Sequence, residues 1–143
     1  MIAALKSSDI DRVWEITQAA EFYRPWTRES LLQEIELAPS LGLWVDQQLV
    51  AFILVRELPD QIEVSWLATA PDQQKRGLMA RLLQALFNAY GHKSEVWLEV
   101  HEENLRAQKL YEKLGFVQTG KRPRYYGGVK AAILYSRELT VGR

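Results

Sequence analysis

The segment Leu49-Val50-Ala51-Phe52-Ile53-Leu54-Val55 holds seven consecutive apolar side chains. A strand wetted on one face alternates apolar with polar residues, whereas a strand covered on both faces reads as an unbroken apolar run. The run is far too short to cross a bilayer as a helix. It therefore predicts a central strand with a packing layer on each face. Leu43 to Val45 precede it across the polar turn Asp46-Gln47-Gln48, and the two runs read as a hairpin.

The rest of the chain supplies those layers. Ile2 to Leu5 forms a first short strand, and Ser8 or Asp9 is placed to cap a helix whose inner stripe is Ile10, Val13, Trp14 and Thr17. Pro25-Trp26-Thr27 is a break, after which Thr27 caps a second helix carrying Leu31, Leu32 and Ile35 and ending before Pro39. Pro59-Asp60 is a turn. Ile62, Val64, Trp66 and Ala68 then alternate with Glu63, Ser65 and Leu67 as one strand. A third helix carries Leu78, Leu82, Ala85, Leu86 and Ala89, with Gly91 placed as its C-cap. Val96 to Val100 is a strand. Asn104 opens a helix with Leu105, Leu110 and Leu114 inward, which Gly115 closes, and Phe116-Val117 and Ala131 to Leu139 are the last strands. The order β-α-α-β-β-β-α-β-α-β-β, with hairpins early and crossover helices late, predicts an α/β fold: a mixed sheet with helices on both faces.

Length and charge narrow the function. The 143 residues match one domain spanning 1–143. There is no cysteine, which removes disulfides, thiolate nucleophiles and Cys-ligated metals. With only His92 and His101 besides, no metal site is expected. The N-terminus turns polar after five residues, so no signal peptide is read, and a cytoplasmic protein is expected. Lys+Arg and Asp+Glu number 18 each, a net charge of zero that argues against nucleic-acid or membrane-surface binding by bulk charge. The balance is a sum of opposites. Residues 1–74 hold 5 basic and 12 acidic side chains (−7), and residues 75–143 hold 13 and 6 (+7).

Four features carry chemistry. Gln74-Lys75-Arg76-Gly77-Leu78-Met79-Ala80 follows a strand and opens a helix. Unpaired N–H groups of a first helical turn, a glycine that admits close approach and two cations together suit a pyrophosphate. An ordinary strand-to-helix turn with a solvated basic pair has the same sequence. The segment lacks both the Walker Gly-Lys-Ser/Thr and the three glycines of a dinucleotide fingerprint. Glu99 stands within Val96-Trp97-Leu98-Glu99-Val100, where a carboxylate is either a general base or a residue on the wetter face of a half-exposed strand. Asn104 and Tyr111, seven residues apart, share a helix face. Asn104 also suits a cap, and Tyr111 either a general acid or a core aromatic. Arg122-Pro123-Arg124-Tyr125-Tyr126 is a basic-aromatic loop, either a substrate wall or plain surface.

Taken together, in this order and spacing, these residues resemble the GNAT superfamily of acetyl-CoA-dependent N-acetyltransferases, and more closely its bacterial ribosomal-protein-alanine N-acetyltransferases. The resemblance runs over nearly the whole chain. It rests on Phe22-Tyr23-Arg24-Pro25-Trp26-Thr27, Leu67-Ala68-Thr69-Ala70-Pro71-Asp72, Gln74-Lys75-Arg76-Gly77, Trp97-Leu98-Glu99-Val100, Asn104, Leu110-Tyr111-Glu112-Lys113-Leu114-Gly115-Phe116 and Arg124-Tyr125-Tyr126. It implies a central, twisted, mostly antiparallel sheet. It also implies that the backbone of Leu67, Ala68 and Thr69 holds the pantetheine arm of acetyl-CoA, and that Gln74 begins a loop whose N–H groups from Lys75 through Arg76, Gly77, Leu78 and Met79 to Ala80 bind the pyrophosphate. Asn104 would lie near the thioester, Glu99 would accept a proton from the acceptor's α-ammonium, and Tyr111 would protonate the leaving thiolate. Trp26, Tyr125 and Tyr126 would contact the acceptor, a protein N-terminus or alternatively a small amine; a non-catalytic CoA-binding module is a third reading. Two positions depart from the family: Met79 replaces Gly or Ala, and either crowds the turn or points into the core, and Lys130-Ala131-Ala132 replaces Glu-Asp-Ala.

Overall fold

The computed structural model describes residues 1–22, 25–126 and 130–139, with residues 124–126 described as backbone alone. Seven strands, β1 (Ile2–Ala4), β2 (Leu41–Val45), β3 (Gln48–Glu57), β4 (Gln61–Thr69), β5 (Glu95–His101), β6 (Val117–Tyr126) and β7 (Lys130–Glu138), form one sheet in the order β1-β2-β3-β4-β5-β7-β6. Every neighbouring pair is antiparallel except β4 with β5. The helices are α1 (Ile10–Ala19), α2 (Arg28–Leu37), α3 (Leu78–Ala89) and α4 (Leu105–Lys113). Among the described residues, no helix is long and apolar enough to cross a membrane.

The apolar run on β3 performs the role its pattern predicts. All residues from Leu49 to Val55 are buried, and they feed two cores. Phe52 and Leu54 pack with Val13 and Ile16 of α1 and Leu31 and Ile35 of α2. Ile53 and Val55 pack on the opposite face with Leu82, Leu83 and Leu86 of α3 and with Tyr111 of α4. The sheet thus has helices on both faces.

Local expectations meet mixed outcomes. Thr27 caps α2, its hydroxyl accepting from the Ser30 N–H at 3.0 Å. Asn104 caps α4, its Oδ1 accepting from the Ala107 N–H at 3.3 Å. Gly115 adopts φ +95° after α4, a left-handed conformation that favours glycine. Asp9 does not cap α1. Its carboxylate instead accepts from the Lys6 N–H, closing the 3-10 turn Ser7–Asp9, and no side chain caps the helix. Gly91 is not a left-handed C-cap, because Tyr90 ends α3 at φ −114°. Leu105 is exposed rather than inward, since the buried stripe of α4 runs through Ala107, Leu110, Tyr111 and Leu114 and leaves Leu105 off that face. The segment 122–126 is not a loop but the end of the ten-residue β6.

Strand β4 departs from simple alternation. Leu54 pairs with Trp66 and Val55 with Val64, so Ser65 is an extra residue, a β-bulge. Before it, Ile62 and Val64 enter the α3 and α4 core; after it, Trp66 and Ala68 lie in the α1 and α2 core. A one-residue shift reverses the face each side chain takes. The even-numbered positions therefore do not share one face, as their spacing predicts.

Candidate active site

The bulge lies where β4 and β5 part. Only Gln61, Ile62 and Glu63 pair with β5, against Glu95, Val96 and Trp97. Beyond Glu63, Val64 to Thr69 pair with β3 alone, and Leu98 to His101 with β7 alone. The two strands splay, leaving the inner backbone edge of β4 without a strand partner. A cleft of about 650 Å³ fills this opening. An unpaired strand edge of this kind accepts an extended, amide-bearing chain as an added strand.

Several features predicted from sequence converge on the cleft. Leu67, Ala68 and Thr69 line it from the splayed end of β4. Gln74 and Lys75 line its mouth, followed by Gly77, Leu78, Met79 and Ala80 at the start of α3. Gly77 is the N-cap of that helix at φ +75°, and among the described residues no atom beyond its own chain neighbours lies within 4 Å of where a Cβ would stand. Among the described residues no side chain caps α3, which leaves the first-turn N–H groups open to a ligand, at the positive end of the helix. Lys75 also has positive φ, +64°, and its chain reverses direction here without glycine. The Gln74 amide donates to the Thr69 carbonyl at 3.3 Å and accepts from Arg106 at 3.2 Å, which ties the loop to β4 and α4. Arg76 is the exception. It does not line the cleft, and its guanidinium donates to Gln73 Oε1 at 2.6 Å. Met79 touches the cleft but packs against the α3 and α4 core, so the inward alternative holds.

Glu99, Asn104 and Tyr111 line the same cleft. Glu99 points to the α1 and α2 side of the sheet, since Val96, Leu98 and Val100 alternate into the other core. Its Oε1 lies 3.1 Å from Arg122 Nε. Its Oε2 is buried and accepts no hydrogen bond among the described residues. Tyr111 is buried, its ring meeting Phe116 and Tyr135 edge-on at 5.7 and 6.0 Å. Tyr135 donates to Glu112 Oε2 at 2.8 Å. Burial and that hydrogen bond push the Tyr135 hydroxyl up to about 12, so it stays protonated through the neutral range. Burial likewise raises Tyr90, with the nearby Glu57 charge adding to it.

The far end of the cleft is aromatic and charged. Trp26 and Trp66 lie with ring centroids 6.4 Å apart, and Phe22 stacks on His101 at 4.8 Å. Glu34 of α2 is buried and bound bidentately by Arg56, with Nη2 to Oε1 at 2.6 Å and Nε at 2.9 Å. That hydrogen bond raises the Arg56 pKa despite the opposing effect of burial. Glu21 and Glu63 also line this end, so carboxylates of the acidic half do face the cleft. Sequence reading missed Trp66, Trp97 and Arg56 as cleft residues. For Trp66 the cause is the bulge, which no periodicity reveals; for Arg56 the only signal was a cation directly after an apolar run. Tyr125 and Tyr126 lie on β6 and their side chains fall outside the described residues, as do Tyr23 and Arg24. Lys130 pairs with Glu103 at 3.2 Å, while Ala131 and Ala132 are buried in the sheet.

Residues 10–116, which include the splayed β4–β5 pair and the start of α3, match the model of the acetyltransferase (GNAT) family. The chain belongs to that family and is an N-acetyltransferase. Among its relatives, it is 37% identical to the [ribosomal protein bS18]-alanine N-acetyltransferase of Haemophilus ducreyi over 130 residues, 88% of each chain. It is 33% identical to the protein of the same name from Salmonella typhimurium, over 87% of this chain and 86% of that one. The crystal structure of the ribosomal-protein-S18-alanine N-acetyltransferase from Escherichia coli superposes with a TM-score of 0.92 at 27% identity, covering 100% of this chain and 96% of that one. The Ard1 structure from Thermoplasma volcanium, at 24% identity and a TM-score of 0.90, shares the fold.

Proposed function

We propose that this protein moves the acetyl group of acetyl-CoA to the α-amine of a protein N-terminus, with a ribosomal protein as acceptor. One observation carries the reading: the unpaired edge of β4, the open N-terminus of α3 and the carboxylate of Glu99 all face one cleft. The names of the relatives at 33–37% identity support the acceptor class. The backbone of Leu67 to Thr69 pairs with the amides of the pantetheine arm, and the N–H groups from Gly77 to Ala80 hold the pyrophosphate, helped by the charge of Lys75. Arg76 contributes charge from outside the cleft. Glu99 accepts a proton from the acceptor ammonium, directly or through water. The neutral amine forms a C–N bond at the thioester carbonyl, the C–S bond breaks, and the sulfur takes a proton from Tyr111; the attacking nitrogen gives its second proton through water to the Tyr111 oxygen, and Glu99 releases the first to solvent. No acyl-enzyme is needed, in keeping with a chain that lacks cysteine. Asn104 sits near the thioester end, and Trp26 on the acceptor side. The whole chain acts as one domain, in the cytoplasm.

The test offers the protein and acetyl-CoA to a set of N-terminal peptides and to a panel of small amines, with thiol release as readout. Turnover on peptides alone is expected. Turnover on small amines alone overturns the acceptor assignment. Tyr111→Phe keeps the ring and its edge contacts, so it is expected to remain folded and to lose turnover by about 10²-fold. Unchanged kinetics remove Tyr111 from the mechanism.

A further inference from the structure

We infer that Arg122 is a positioning residue: a cationic latch that occupies the ammonium's place beside Glu99 and is displaced by the acceptor. The inference rests on Glu99 being the proton acceptor. Arg122 belongs to β6, two strands from β5, with β7 between them. In register, Arg122 stands opposite Ala132, which in turn pairs with His101. Strands lie about 4.8 Å apart, so only a long side chain spans that separation. The small Ala132 lies in between, and Arg122 Nε ends 3.1 Å from Glu99 Oε1.

Three observations make this a latch rather than a fixed pair. The Arg122 side chain is 59% exposed against 26% for Glu99, so the cation is the more solvated partner and has water to return to. The β6–β7 ladder is interrupted between Arg122 and Tyr126, so regular pairing holds Arg122 from one side only. Glu99 Oε2 is buried with no donor among the described residues, a costly state that an incoming N–H relieves. A carboxylate with one oxygen covered by a displaceable cation and the other lacking a donor is built to receive a second cation.

The latch opposes binding of the ammonium and is gone from Glu99 once the acceptor is seated, so its loss lowers KM and leaves kcat little changed. A merely structural role would not lower KM. With an acceptor peptide as variable substrate, Arg122→Gln is expected to lower KM about two- to fivefold, the range of an exposed ion pair. It should leave kcat little changed. Arg122→Lys, which keeps a cation, should return KM toward wild type. In a Glu99→Gln background, Arg122→Gln should leave KM unchanged, because no carboxylate remains to contest. Raised or unchanged KM in Arg122→Gln overturns the latch. Wild-type turnover in Glu99→Gln alone overturns the base assignment on which it rests, and the two failures are read from separate variants.

Discussion

Replacing Glu99 by Gln is expected to lower turnover by about 10²–10⁴-fold while leaving affinity for CoA nearly unchanged. The carboxylate stands on β5, on the α1 and α2 side of the sheet, whereas the end of the cleft proposed for the cofactor is made by backbone from Leu67 to Thr69 and by the start of α3. On the proposed mechanism, removing the charge strikes the acceptor's proton and spares the surfaces assigned to pantetheine and pyrophosphate. Gln keeps the length of the side chain and its hydrogen-bonding capacity, so the fold has no cavity to absorb. Steady-state kinetics across pH, beside calorimetric titration with CoA, measure the two effects separately. Wild-type rates at every pH would mean that the proton leaves by another route. Weakened CoA binding of similar size would mean that Glu99 holds the cofactor rather than the acceptor's proton.

The largest effect on stability is expected at Phe52. Its ring is fully buried in the middle of β3, between the neighbouring strands, and reaches the core under α1 and α2. Phe52→Ala removes the ring and leaves a void lined by residues from both helices, a loss of about 3–5 kcal/mol. Urea unfolding should show a lower midpoint with little change in slope, because the surface exposed on unfolding hardly differs. Phe52 pairs in register with Ala68, whose backbone is proposed to hold pantetheine, so the KM of the folded fraction for acetyl-CoA reports how far the void is felt on β4. A loss below about 1 kcal/mol would mean that the core closes over the gap.

The architecture was legible because hydrophobic pattern determines which strand is central and which helix faces are buried. Leu49 to Val55 required cover on both sides, and the stripes of α1, α2 and α3 supplied it. Capping by Thr27 and Asn104 and the left-handed Gly115 were equally readable, since each answers a local need of a helix end. Nonlocal facts were not. Asp9 turned to the Lys6 N–H because a 3-10 turn precedes α1. The length of β6 was hidden because its basic-aromatic end pairs with β7 only through register. The cleft residues Lys75, Gly77 to Ala80, Glu99 and Tyr111 were recognisable through their resemblance to a family, while their meeting depends on the splay. That splay is the absence of pairing past Glu63, which leaves no compositional trace. Arg122 stood in a segment read as loop, and its reach to Glu99 became visible only when two strands were counted between them.

The bulge at Ser65 has a genetic consequence. Substitution there changes one half-buried side chain, whereas deletion removes the bulge itself. Val64 and Trp66 would become consecutive residues, still opposite Val55 and Leu54, so Trp66, Leu67, Ala68 and Thr69 would keep the faces they have now. What an in-frame loss of three bases would erase is the local bend of β4 at the point where it parts from β5. The gene can therefore lose this codon without misplacing a side chain, but not without straightening the strand that lines the cleft.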